Sequence, residues 1–254
     1  MKPSLSSILP FKEENKCPDC VVLDLEGNSI VPKQRFLSIP FNIKNDDNEQ
    51  IKLQVTLNFN EQWESVGVGR IKFGLAGGEL RLKLQNGEIP FEDRQFTAPL
   101  SHYIQTERQE SQGHKNRLGI EPALTESKVG AKASFSTEQT DSATDKFQIA
   151  NYQVTTKGSK ENPVWDFKVQ TGDSVLKFQL GKTDLGTLTV TGKPCHIEAT
   201  FEASNSNIKI TDKEGPWCVN LIPEKREALD KAFIKLLLKK KLKPYISRVE
   251  LAYV

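Results

Sequence analysis

The chain has 254 residues, of which 37% are hydrophobic and 27% are charged, a composition typical of globular proteins rather than of disordered or fibrous ones. Its formal net charge is only +2, so any basic binding surface must be local rather than a property of the whole molecule. The sequence contains no run of about 20 apolar residues, the length that a transmembrane helix needs, and its first residues lack the apolar core of a signal peptide. We therefore expect a cytoplasmic protein without a transmembrane segment.

Residues 1–100 are predicted to form an N-terminal β region. Five segments carry strand patterns: 21–25, 29–31, 51–59, 71–75 and 80–84. The third segment alternates apolar and polar residues over its whole length, which is the period of a strand with one solvated face. Gly27 lies between the first two segments and Gly77 and Gly78 lie between the last two, so each pair is predicted to form a strand–turn–strand unit.

Residues 101–146 differ in composition and are predicted to form a polar, mobile excursion or an interdomain linker. No aromatic residue occurs between Tyr103 and Phe135, where Gln, Glu, Ser, Thr and Lys dominate. A segment with so little apolar surface does not offset the conformational entropy that it loses on ordering.

Residues 147–254 are predicted to form a C-terminal β region. Its strand patterns lie at 165–169, 175–180, 188–190, 197–201, 208–210 and 247–253. The stretch 176–190 resembles 71–82, which indicates either a duplicated β-sandwich or only the general likeness of amphipathic hairpins. With one helix near the end of the chain, these patterns predict a mostly β protein, built from one or more antiparallel β-sandwich-like domains with a single C-terminal amphipathic helix.

The helix is predicted over residues 223–243. Pro223 occupies the first turn, where proline is tolerated, and Pro244 follows its end. A stripe at helical spacing is predicted to dock onto the sheet, and it consists of Leu229, Ala232, Phe233, Leu236 and Leu237.

A second apolar row on the helix is formed by Ile234, Leu238 and Leu242. One interpretation is that other parts of the chain cover this row, so that the helix is buried all round. The alternative is that the row is exposed and binds a partner protein that offers an apolar groove with acidic edges. Three lysines would flank the row in that case: Lys231, Lys235 and Lys239.

The four cysteines of the chain are candidates for a structural zinc site. Cys17 and Cys20 have the C-x2-C spacing that lets two thiolates bind one ion, and Cys195 and Cys218 would complete a set of four ligands. The long separation along the chain weakens this hypothesis. A redox-active pair would need a βαβ setting that the sequence does not predict, so ordinary cysteines near a turn are the main alternative. No cofactor is otherwise expected.

The function predicted from these patterns is non-catalytic. Nucleophile elbows, zinc-protease pairs and phosphate loops do not occur in the sequence. We expect a protein that binds a macromolecular partner or assembles with copies of itself. The alternative is a nucleic-acid-contacting protein, because seven basic residues and no acidic one lie between Lys231 and Arg248. A third interpretation is an enzyme whose site forms only in three dimensions.

Overall fold

A computed structural model describes residues 8–30, 49–96, 100–105, 147–216 and 222–254. Within these ranges, the strands are β1 (Ile8–Asn15), β2 (Val21–Ile30), β3 (Gln50–Phe59), β4 (Gln62–Val66), β5 (Gly69–Leu75), β6 (Gly77–Gln85) and β7 (Gly87–Glu88), followed by β8 (Leu100–Gln105), β9 (Phe147–Gly158), β10 (Pro163–Thr171), β11 (Phe178–Val190), β12 (Cys195–Glu202), β13 (Ile208–Glu214) and β14 (Ser247–Tyr253). The C-terminal helix comprises α1 (Pro223–Phe233), a π turn (Ile234–Leu238) and α2 (Lys239–Leu242). None of the described helical segments has both the length and the apolar character needed to cross a membrane.

The strands form three sheets, which are mostly antiparallel. One sheet has seven strands in the order β1-β14-β12-β6-β10-β9-β8, one has the order β2-β3-β11-β7, and the smallest has the order β13-β5-β4. The mostly β, sandwich-like fold with one C-terminal helix is therefore confirmed.

The alternation of apolar and polar residues explains which strand face is buried. Along β3, every second side chain from Ile51 to Phe59 is buried, while those between them are exposed or half-buried. The same period places Val249 and Leu251 of β14 in the core. Phe59 of β3 lies 4.9 Å from Phe178 of β11 and 5.1 Å from Phe201 of β12, measured between ring centroids. Because β11 and β12 belong to different sheets, this aromatic cluster packs the two larger sheets against each other.

Strands from both ends of the sequence pair with one another. β3 pairs with β11, and β6 lies between β10 and β12. Met1–His102 and Ile149–Val254 consequently form one compact unit, and Tyr103–Gln148 forms a second. The segment 101–146, predicted as an excursion or linker, lies almost wholly outside the described residues.

Two of the predicted turns are wrong. Residues 21–31 were expected to fold back at Gly27, but β2 runs without a break to Ile30 and pairs in register with β3, with Gly27 opposite Leu53. A turn there would have left the first half of β3 without a partner on this side. The strand patterns predicted separately at 175–180 and 188–190 also fall in one long strand, β11, in which Gly186 occupies a bulge.

The glycines at 77 and 78 allow close packing rather than a reversal of the chain. β5 and β6 follow each other directly but belong to different sheets, so they do not form the predicted strand–turn–strand unit. A Cβ atom at Gly77 would lie 2.6 Å from the Phe167 carbonyl oxygen, and one at Gly78 would lie 2.6 Å from a ring carbon of Phe201. The likeness between 71–82 and 176–190 is therefore not a structural duplication.

Candidate interaction surface of the C-terminal helix

The helix contacts the protein body through a different face from the one that its sequence predicts. Leu238 is fully buried and Leu242 is 4% exposed, whereas Leu236 is 70% exposed and Leu237 is 41% exposed. The predicted docking stripe is therefore wrong in its last two members. Leu229, Ala232 and Phe233, its earlier members, are half-buried.

The π turn explains this change of face. The Lys239 amide donates to the Ile234 carbonyl, a bond across five residues instead of four. A π turn holds one residue more than an α turn, so the side chains after it are shifted by one position around the helix. The stripe that begins at Leu229 accordingly continues to Leu238 and Leu242. The prediction assumed an unbroken α-helical period throughout.

The burial of Leu238 and Leu242 corrects their assignment to a partner-binding row. Both side chains contribute to the folded core, so neither is accessible to another molecule, and Ile234 beside them is half-buried. Of the three predicted flanking lysines, Lys231 forms an ion pair with Glu227 at 2.6 Å. Lys235 is exposed and Lys239 is half-buried.

Polar contacts also attach the inner side of the helix to the body. Lys241 forms an ion pair with Glu64 of β4 at 2.5 Å, and Lys213 of β13 pairs with Asp230. Helix α1 itself buries no side chain. The helix is thus attached through its buried leucines and two ion pairs, and its opposite side remains open to solvent.

The open side combines apolar and cationic side chains. We call it the leucine–lysine face and define it as Lys235, Leu236, Leu237, Lys239 and Lys240. In the part of the chain that the structure describes, no carboxylate forms an ion pair with any of these three lysines. Exposed leucines beside unpaired cations are suited to a partner with apolar and acidic groups.

The cysteines do not form the predicted zinc site. Cys17 and Cys20 are both buried and are joined by a disulfide bond with an S–S distance of 1.95 Å, so their sulfurs are not available as thiolate ligands. The Lys16 amide donates to the Ile246 carbonyl, just before β14, whereas Cys195 pairs with Tyr253 at the far end of that strand. Ile246 and Tyr253 are seven residues apart, which corresponds to about 23 Å along the strand, whereas a zinc ion binds its sulfur ligands at only about 2.3 Å.

The remaining two cysteines give no reactive thiol in the described residues. Cys195 is buried, and burial raises the pKa of its thiol, which favours the inert protonated form over the nucleophilic thiolate. Cys218 lies outside the described residues. The described ranges contain no group of three or more His, Cys, Asp and Glu side chains placed to hold a metal ion.

The outer face of the seven-stranded sheet carries a shallow, polar groove. One section has a volume of about 580 Å³ and lies between the β9–β10 turn and Tyr245. Glu198 and Glu250 stand opposite each other on β12 and β14, and the Arg248 guanidinium forms ion pairs with both. Because each carboxylate is held by the same cation, the pair does not provide a free acid and a free base for catalysis.

Comparisons with known proteins do not identify a family. No family model matches the chain, and no curated protein matches it. Among solved structures, the chain is similar to the NetB toxin of Clostridium perfringens in its membrane-inserted form, at 9% identity and a TM-score of 0.27 over 71% of this chain and 83% of that one. It is also similar to a pore-forming protein, at 11% identity and a TM-score of 0.26 over 83% and 92% of the two chains. Similarities this low carry no conclusion about the fold or the function of this protein.

Proposed function

We propose that this chain is a non-catalytic protein that binds another protein through the leucine–lysine face. The observation that carries the proposal is the exposure of Leu236 and Leu237, at 70% and 41%, on a helix whose other side is already docked. Scattered exposed leucines are common on protein surfaces. Here two adjacent leucines lie among lysines that have no carboxylate partner in the described residues, so both the apolar and the charged parts of the face can be satisfied by one partner.

A protein partner suits this face better than a nucleic acid does. Lys235, Lys239 and Lys240 can contact phosphates, which supports the nucleic-acid alternative. Single-stranded nucleic acids are held in addition by aromatic side chains on which the bases stack, and the residues of the face itself are leucine and lysine. Leucine side chains at its centre gain by burial against apolar side chains, which a phosphate backbone does not offer.

The cytoplasmic location expected from the sequence stays a prediction. The disulfide bond between Cys17 and Cys20 counts against it, because such bonds persist mainly in oxidising compartments. The proposed binding function does not depend on the compartment.

A photo-crosslinking amino acid placed at position 236 tests the proposal. Ile30 provides a control position, because it is an exposed apolar side chain that pairs with Gln50, at the end of β3 opposite to the one that leads into β4 and the helix contact at Glu64. We expect protein adducts from position 236 that are absent from position 30 and that disappear when Lys235 and Lys240 are changed to glutamate. Adducts to nucleic acid alone, or equal adducts from both positions, would refute the proposal.

A further inference from the structure

A second exposed surface carries acidic side chains, whereas the charged side chains of the leucine–lysine face are basic. The turn that follows β7 contains Phe91, Glu92 and Asp93 in one turn of 3-10 helix. All three side chains are exposed, and Phe91 is 60% exposed. We call these three residues the acidic turn. It combines a large apolar side chain with two carboxylates.

The carboxylates of the acidic turn are not satisfied within the described part of the molecule. No described lysine or arginine forms an ion pair with Glu92 or Asp93. The neighbouring cation, Arg94, is buried and donates to the carbonyl oxygens of Lys157, Gly158 and Ser159 at 2.7–3.1 Å. Its guanidinium thereby fixes the position of the turn and lies 5.2 Å from the centre of the Phe91 ring, without forming an ion pair with either acidic side chain.

The acidic turn and the leucine–lysine face are complementary in kind. One presents Phe91 beside two negative charges, and the other presents Leu236 and Leu237 beside three positive charges. An aromatic ring that packs on a leucine pair buries apolar surface at the centre, while the charges meet at the rim. This is the usual anatomy of a protein–protein contact, in which an apolar core is surrounded by polar groups.

The two surfaces are placed too far apart to meet within one molecule. Arg94 forms a bridge to Gly186, which pairs with Leu53 of β3. The helix is attached to Glu64 of β4, and β4 follows β3 beyond its other end, at Phe59. Leu53 and Phe59 are six strand residues apart, which corresponds to about 20 Å. Contact between the two surfaces therefore requires two molecules.

We propose that copies of this chain associate head to tail, with the leucine–lysine face of one copy bound to the acidic turn of the next. The inference rests on the proposed function and names a second copy of the chain as the partner. Because the two surfaces are different patches, the contact is heterologous, and an open chain of copies keeps one free surface of each kind at its ends. Repetition of the contact gives open chains or closed rings.

The small size of the two surfaces sets the strength of the association. Three residues on one side and five on the other bury less area than the interface of a stable dimer, which has about 20–30 residues on each side. The association is therefore weak and rises with protein concentration. Because its charges lie at an exposed rim, salt weakens it, since the Debye length falls from about 30 Å at 0.01 M salt to about 3 Å at 1 M.

Sedimentation velocity on charge-reversal variants tests the inference. For the wild-type chain, the average mass is expected to rise between about 10 µM and 1 mM protein at low salt, and to return to that of a monomer at high salt. The helix variant Lys235→Glu/Lys240→Glu and the turn variant Glu92→Lys/Asp93→Lys should each stay monomeric, with dissociation constants raised by about 100-fold, because like charges then face each other.

Mixing the two variants gives the decisive measurement. The helix variant keeps an intact acidic turn and the turn variant keeps an intact leucine–lysine face, so an equimolar mixture should associate although neither variant does so alone. Lys83→Glu/Lys209→Glu is the matched control for the helix variant, since it makes the same change of net charge at two exposed lysines outside the leucine–lysine face. This control should associate like the wild type at the same protein and salt concentrations.

The outcomes separate this inference from the proposed function. A wild-type chain that is monomeric at every concentration would overturn the head-to-tail contact, as would variants that associate unchanged or a control that dissociates as they do. In each of these cases, adducts from position 236 to a different protein would still support the proposed function. If adducts to proteins were also absent, both would be refuted.

Discussion

Replacement of single leucines along the helix separates the observed packing from the one that its sequence predicts. An unbroken α-helical stripe would bury Leu236 and Leu237, whereas the structure buries Leu238 completely and leaves Leu236 70% exposed. Leu238→Ala and Leu236→Ala remove the same atoms from neighbouring positions of one helix. Their helix propensities change equally, so any difference in stability reports on burial.

The expected difference is large. A leucine-to-alanine change in a packed core lowers the free energy of unfolding by about 2–5 kcal/mol, through lost transfer energy and the cavity that remains. At an exposed position the change is within about 0.5 kcal/mol. For a domain of this size, about 2–4 °C in Tm correspond to 1 kcal/mol. We therefore expect Leu238→Ala to lower Tm by about 4–20 °C and Leu236→Ala to leave it nearly unchanged.

Because the helix is connected to the sheet, the stability lost in Leu238→Ala should be measurable in the unfolding of the whole domain. Residues 243–246 join the helix to β14, which lies between β1 and β12 in the seven-stranded sheet. Detachment of the helix end would therefore disturb a strand that is paired on both sides rather than release a free terminus. Urea unfolding followed by circular dichroism measures the free energy, and Leu242→Ala should behave like Leu238→Ala. Equal destabilisation by Leu236→Ala and Leu238→Ala would refute the conclusion that the π turn changes which side chains of the helix are buried.

Three further perturbations test the disulfide, a buried arginine and a buried carboxylate. Cys17→Ser/Cys20→Ser should lower the free energy of unfolding by about 2 kcal/mol, the chain-entropy value for a four-residue loop, as measured by urea unfolding; an unchanged midpoint would contradict the bond. Arg94→Met should leave three carbonyl oxygens without their donor and cost about 1–3 kcal/mol; hydrogen exchange in the β9–β10 turn should rise. Burial alone would raise the pKa of Glu61, but hydrogen bonds and the charge of Lys177 lower this pKa below the ordinary value of a glutamate. The stabilisation by Glu61 is therefore fully present above that ordinary value and is lost as the pH falls through the lowered pKa, so Glu61→Gln should flatten this part of the stability–pH profile.

Prediction from the sequence succeeds where a single local rule decides the structure. The final strand was predicted at 247–253 and β14 has these bounds. The apolar–polar alternation of residues 51–59 becomes the half-buried strand β3. In both cases the period of two is maintained over seven or more residues, so only one face can be buried and the register follows from that.

Prediction from the sequence fails where contacts with distant parts of the chain determine the local conformation. Gly77 and Gly78 look like a turn, but the Phe167 carbonyl and the Phe201 ring occupy the space that a side chain would need. Gly186 likewise lies in a bulge against the Asp93 carbonyl, 2.6 Å from where its Cβ would be. A glycine in the sequence is equally consistent with a reversal of the chain and with the close approach of another strand. The two cannot be distinguished until the partner strand is known.

The helix combines both situations, and this is why its binding surface was assigned to the wrong side. Pro223 and the apolar spacing correctly indicate a helix, since these signals are local. Which side chains of the helix face the body depends on the π turn, in which the Lys239 amide donates to the Ile234 carbonyl. With this turn, Leu238 and Leu242 are buried. An unbroken helix would have turned Leu236 and Leu237 towards the body and removed the apolar part of the exposed face. The same inserted residue that completes the core therefore creates the surface on which the proposed binding depends.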